Sequence, residues 1–198
     1  MELLELKNLE YFDVVYESYL NEFPFEERKS KEKLLRMFST NKYSYYLLFD
    51  NQKVVAYTFF IKDDEKKLIF IDYIAVIKEY QNNGYGTVIL NILKDKYSTY
   101  AIVLEIEKPD GNINSITERR KRFYIKNNAF KLDVDYKLPT INGYLDMDLM
   151  MIKNNHYIYK EEDLKNFLKD SITFIHDDFT HTIDIINMYI NSLPKKLK

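Results

Sequence analysis

Apolar residues along the chain follow two different periods, and the places where the period changes outline the fold. Leu3 to Leu6 reads as a short strand. From Leu9 to Phe23, Phe12, Val15, Tyr19 and Phe23 recur at helical spacing and the run ends at Pro24, which predicts a helix. Ser30 to Phe38 predicts a second helix with Leu34, Leu35 and Phe38 inward. The period then shortens. Tyr45–Phe49, Val54–Ile61 and Leu68–Val76 are rich in β-branched and aromatic residues, and Asp50-Asn51-Gln52 and Asp63-Asp64-Glu65 separate them as hairpin turns. Three strands joined by tight turns make an antiparallel meander.

Helical spacing returns from Gly86 to Tyr97, with Val88, Ile89, Ile92 and Leu93 on one side. Ala101–Glu107 is the next strand, and Ser115-Ile-Thr-Glu118 is a capping box opening a helix that carries Phe123 and Tyr124. Phe130–Val134 and Tyr144–Ile152 read as strands, the latter alternating Leu145, Met147, Leu149 and Met151 with Asp146 and Asp148. From about Asn154 the chain turns polar and helical, with Glu161–Leu168 and His181–Leu193 as helices. The order predicts a mixed α/β (α+β) fold with a single, mostly antiparallel sheet flanked by helices. Residues 1–153 form its main domain, and residues 154–198 a helical extension that packs on that domain or on a second copy in a homodimer.

Composition narrows the chemistry. There is no cysteine, so disulfides, thiolate zinc sites and acyl-cysteine intermediates are excluded. A formal charge of −2 argues against broad binding to nucleic acid. No apolar run approaches the ~18–20 residues of a membrane span, and the amino terminus lacks the features of a signal peptide. These features predict a soluble, cytoplasmic protein that binds no membrane. The three histidines all lie in the tail, and the spacing of His176 and His181 does not put both on one helical face, so no metal site is expected.

Only four glycines occur, and two of them, Gly84 and Gly86, fall in Gln81-Asn82-Asn83-Gly84-Tyr85-Gly86, between a strand and a helix. No Gly-Lys-Ser/Thr follows, which excludes a P-loop, and the third glycine of a dinucleotide fingerprint is missing. A strand, a short loop and a helix N-terminus remain, a geometry whose unpaired N–H groups and partial positive charge suit a phosphate. A plain strand-to-helix turn is the alternative.

The stretch from Tyr73 to Gly86, with Gln81, Gly84 and Gly86 in a Gln/Arg-x-x-Gly-x-Gly/Ala pattern, resembles the GNAT (GCN5-related) N-acetyltransferase superfamily. Element order agrees from about Leu3 to Ile152. The resemblance implies acetyl-CoA as co-substrate, with the main chain of Ile74, Ala75 and Val76 pairing with pantetheine and the loop Gln81, Asn82, Asn83, Gly84, Tyr85, Gly86 and Thr87 wrapping the pyrophosphate. It also implies a general acid at Tyr124, in a Tyr-x-x-x-Gly-Phe-like ending where Asn128 stands at the glycine position and Phe130 falls one residue late.

Transfer of acetyl to an amine requires removal of the ammonium proton, a task that a carboxylate suits, directly or through water. Glu105 is the first candidate and Asp72 the second; Glu105 alternatively pairs with Arg119 or Arg120. Acceptor contacts are expected from Glu26 and Glu27 between the first two helices, from Arg120, and from Tyr136 in a lid-like Tyr136–Pro139 segment. The implied activity is acetylation of a primary amine, a small molecule in preference to a peptide, by direct attack in a ternary complex. A peptide acetyltransferase and a non-catalytic acyl-CoA-binding or interaction module are the alternatives.

Overall fold

The computed structural model describes residues 1–197, and these form two compact units. One unit comprises Met1–Lys62 and Ile71–Tyr97. The other comprises Asp63–Phe70 and the chain from Ser98 onward. The composition change near residue 154 falls inside the second unit.

In the first unit, β1 (Glu2–Glu5), α1 (Phe12–Glu22) and α2 (Lys31–Phe38) precede the hairpin of β2 (Tyr43–Asp50) and β3 (Lys53–Asp63). Asn51 and Gln52 both take positive φ, 47° and 65°, the two-residue turn whose twist suits antiparallel strands. β1 pairs antiparallel with β2, Leu3 opposite Leu48, and β2 with β3, Tyr45 opposite Phe59. The rings of Tyr45 and Phe59 meet at 4.3 Å in the core. β4 (Leu68–Val76) leads into α3 (Tyr85–Lys96). On one side, Leu48, Val55, Ala56 and Ile89 form a cluster against which Ile74, Val76 and Val88 pack. Ser30 caps α2 by accepting from the Lys33 N–H at 3.1 Å. α2 buries the expected Leu34, but with Lys33 and Met37 in place of Leu35 and Phe38.

In the second unit, β5 (Ala101–Glu107) is followed by α4 (Ile116–Lys126), β6 (Ala129–Lys131), β7 (Lys137–Thr140) and β8 (Gly143–Lys153). β8 pairs antiparallel with β5, β6 and β7. The strand order β1-β2-β3-β4-β5-β8-β6, with β7 on β8, is the mixed, mostly antiparallel sheet expected. β6 is shorter than predicted, because the chain turns after Leu132, where the Val134 N–H donates to the Leu132 carbonyl at 3.0 Å. The Tyr136–Pro139 segment is largely a strand of this sheet, paired with β8, rather than a lid.

The tail forms α5 (Glu161–Ile175) and α6 (Thr182–Tyr189). α5 buries Leu164, Phe167, Leu168, Ile172 and Ile175, each stabilising by about 1.5–3 kcal/mol. His181 fixes the start of α6 to the β7–β8 hairpin, its Nε2 lying 2.7 Å from the Thr140 carbonyl and 3.2 Å from that of Gly143. Among the described residues no helix is long and apolar enough to cross a membrane, and no group of three acidic or histidine side chains is placed to hold a metal ion.

Candidate active site

β4 changes character along its length. Leu68 to Ile71 are buried, whereas Ile74, Ala75 and Val76 are half-exposed. Their strand end is held to β3 by the Ile77 N–H donating to the Val55 carbonyl at 3.0 Å. Next, Gln81 folds back: its Nε2 donates to the Val76 carbonyl at 3.2 Å and to Glu22 Oε2 at 2.7 Å. Asn83 Nδ2 donates to the carbonyls of Tyr80 and Gln81, both at 3.2 Å. Side chains thus hold the loop from behind while Asn82, Asn83 and Gly84 stay exposed.

Gly84 is the N-cap of α3 with φ 83°, and Asn82 also lies in the left-handed region at 64°. An added Cβ at Gly84 would meet nothing within 4 Å, so the glycine serves backbone conformation, not packing. It also leaves α3 without a side-chain cap. First-turn N–H groups of a helix are oriented to meet an anion, and the alternating hand of Asn82, Asn83 and Gly84 suits a concave loop of donors. Tyr85 is steadied by its hydroxyl donating to Asp50 Oδ2 at 2.5 Å. A half-exposed strand end leading into a bare, left-handed helix entrance fits an extended amide arm ending in a pyrophosphate.

A family model described as the acetyltransferase (GNAT) family matches residues 11–117, more than half of the chain. The chain belongs to the GNAT acetyltransferase family. It is an N-acetyltransferase, and acetyl-CoA is the co-substrate consistent with that family. No curated protein matches this acetyltransferase. Among solved structures, a protein of Bacteroides thetaiotaomicron described as a GNAT-family acetyltransferase is 21% identical, with 93% of this chain and 98% of that one covered and a TM-score of 0.73. A spermidine N-acetyltransferase variant of Vibrio cholerae is 14% identical, covering 76% and 92% with a TM-score of 0.58. A Bacillus subtilis acetyltransferase in complex with CoA is 16% identical, covering 77% and 96% with a TM-score of 0.54. At these identities the likeness concerns the fold.

Within the first unit the acetyltransferase also holds Asp72, Glu26 and Glu27. The Asp72 side chain is 3% exposed and committed on both oxygens, accepting from Lys29 Nζ at 3.0 Å and from the Tyr43 hydroxyl. Burial and the neighbouring Asp72 charge push the Tyr43 phenol well above its ordinary range. Glu26 is exposed and Glu27 half-buried in a 3-10 turn, Phe25–Glu27, whose Glu27 carbonyl accepts from the Tyr73 hydroxyl.

Within the second unit, Tyr124 lies on α4 and is 6% exposed, its ring edge-on to Phe123 at 5.0 Å. Burial pushes its phenol up to about 12, against the pull of the Arg120 charge. Ser115 caps α4 by accepting from the Glu118 N–H at 3.2 Å. Asn128 closes the helix with φ 69°, the left-handed conformation that a glycine would take. Arg120 pairs with Glu107. Glu105 is half-buried opposite Leu149 of β8, and its charge reaches Tyr189 of α6. Tyr136 is fully buried, its ring 4.9 Å from that of Tyr189.

The Lys29–Tyr43–Tyr73 surroundings of Asp72, and Tyr189 beside Glu105, carried no signal in the sequence. Lys29 is paired with Asp72 across 43 residues, and Tyr189 lies in a tail outside the motif pattern.

Proposed function

We propose that this acetyltransferase moves the acetyl group of acetyl-CoA to a primary amine, a small molecule in preference to a peptide, by direct attack while both are bound. The observation that carries the reading is the left-handed Gly84 opening α3 at the end of the loop that follows the half-exposed end of β4. Acetyl-CoA supplies the acyl group already activated as a thioester. The main chain of Ile74, Ala75 and Val76 pairs with the pantetheine arm, and the loop from Gln81 to Thr87 wraps the pyrophosphate.

An alkylammonium with a pKa of roughly 10 holds little free amine at neutral pH. The Glu105 carboxylate takes that proton, directly or through water. Asp72 is the weaker candidate because both its oxygens are already engaged. Tyr124 Oη gives its proton to the departing sulfur, and a phenol held near 12 keeps that proton throughout the physiological range. With no cysteine in the chain, no acyl-cysteine intermediate is available. Glu26 is the exposed carboxylate left to attract a cationic acceptor. The spermidine acceptor of the Vibrio cholerae neighbour is in keeping with a small amine.

The test is CoA thiol release from acetyl-CoA with a panel of polyamines, amino acids, aminoglycosides and short peptides. Turnover with small amines, lowered about 10²–10⁴-fold in Tyr124→Phe, supports the account. Turnover with peptides alone overturns the acceptor class, and unchanged turnover in Tyr124→Phe overturns the role of the phenol.

A further inference from the structure

Lys29 stands between Arg28 and the capping Ser30, in a connection where a lysine is ordinarily solvated. Its side chain is instead 6% exposed. The ammonium donates to Asp72 Oδ1 at 3.0 Å and to the Tyr73 hydroxyl at 2.8 Å, and lies 4.4 Å from the centre of the Tyr73 ring. The polar groups around it are supplied in a consistent direction. Tyr43 donates to the second Asp72 oxygen, Tyr19 donates to Tyr73 at 3.2 Å, and Tyr73 donates to the Glu27 carbonyl. A buried carboxylate, an aromatic face and an accepting hydroxyl converging on one point form a receptor for a primary ammonium.

The chain segment that leads to this point hangs from it. The Lys29 N–H donates to the Tyr19 hydroxyl at 2.5 Å, and Arg28 Nε donates to the Phe23 carbonyl at 2.6 Å. The Phe23 ring meets Tyr73 edge-on at 4.7 Å. Residues Phe23 to Lys29, including Glu26, are thereby fastened to β4 immediately before Ile74. A buried ion pair is a poor device for stability, since well-packed apolar side chains do as well or better. It is a good device for fixing one position of a loop.

We propose that Asp72, Tyr43 and Tyr73 form a primary-ammonium cage that Lys29 fills from within the same chain, and that this tethered cation latches the segment Phe23–Lys29 against β4. Lys29 is then a positioning residue for the segment that bears Glu26, a role that rests on the acceptor reading above. The cage itself does not depend on that reading. A free polyamine cannot anchor on Asp72 while Lys29 is seated.

The experiment uses the full chain and propylammonium chloride as the probe. Lys29→Ala should lower the melting temperature by about 6–20 °C, because it orphans a buried carboxylate. Propylammonium should restore at least half of that loss, tetramethylammonium at equal ionic strength should not, and Lys29→Ala/Asp72→Asn should show no restoration. Trypsin cleavage after Arg28 should rise in Lys29→Ala and be suppressed again by propylammonium. With an amine found by the turnover panel, KM should rise in Lys29→Ala more than kcat falls, and propylammonium should lower it. If Lys29→Ala does not fold, Lys29→Met/Asp72→Asn should melt higher than Lys29→Met.

No restoration by propylammonium, or a double variant less stable than Lys29→Met, overturns the cage. Restored melting with unchanged cleavage and KM overturns the latch. The thermal arm needs no turnover, so its failure is distinguishable from a wrong acceptor class.

Discussion

Arg120 donates from Nη1 to Glu107 on β5, and its charge also reaches Tyr124, one turn further along α4. The phenol proposed as the general acid therefore lies between two opposing influences, burial raising its pKa and the guanidinium lowering it. Arg120→Met should raise the Tyr124 titration beyond about 12. Glu107→Gln, which leaves the Arg120 charge uncompensated, should lower it. Tyrosine-labelled NMR titrations, with Tyr124→Phe to assign the signal, check both directions.

The buried phenols also make the fold sensitive to alkali. Tyr100, Tyr124 and Tyr159 are each raised to about 12, in every case chiefly by burial. An unfolded tyrosine titrates near 10, so between roughly pH 10 and pH 12 the unfolded chain loses protons that the folded chain keeps. The stabilisation is complete below the unfolded value and is lost as pH rises toward the folded one. The urea midpoint should stay level from pH 7 to 9 and fall steeply above about pH 10. A midpoint that holds up to pH 12 would contradict the assigned burial.

Tyr189 of α6 packs on Tyr136, the residue just before β7, the two rings 4.9 Å apart at 65°. Tyr189→Ala should cost about 3–5 kcal/mol, the usual range for emptying a buried aromatic site. For a chain of this size that is a drop of roughly 6–20 °C in melting temperature. Tyr189→Phe keeps the ring and should lose far less. If the tail were an independent appendage, Tyr189→Ala would leave the main transition unmoved in a calorimetric scan.

Much of the fold was legible because local signals agreed with one another. β4 and β5 have the predicted limits, and Ser30 and Ser115 cap the helices that their spacing announced. β7 was missed because Pro139 and a four-residue length argue against a strand, and only pairing with β8 makes it one. α5 runs seven residues beyond the expected Leu168, since the β-branched and aromatic run at its end has weak helical propensity but keeps its spacing to the core. The alternation along β8 fails at Asp148, which is 4% exposed and held by Lys131 at 2.6 Å. The glycine turn that opens α3 could be read from one segment, whereas the Lys29–Asp72 pair joins residues too far apart in sequence for any local pattern to reveal.

Gly84→Ala isolates the backbone contribution of that loop. With nothing within 4 Å of the added carbon, no clash arises, and the cost is the left-handed conformation itself, about 1–2 kcal/mol. The melting temperature should fall by roughly 2–8 °C. Stabilisation by acetyl-CoA should shrink as well. A variant with unchanged response to acetyl-CoA would remove the loop from the proposed binding site.

The most direct test of the account is the melting temperature of the intact chain with acetyl-CoA, with ATP and NAD as controls. At 100 times its dissociation constant a ligand stabilises by ~2.7 kcal/mol, and at ~2–4 °C per kcal/mol the account predicts a rise of roughly 5–11 °C with acetyl-CoA alone. No rise, or a larger one with ATP or NAD, would contradict it.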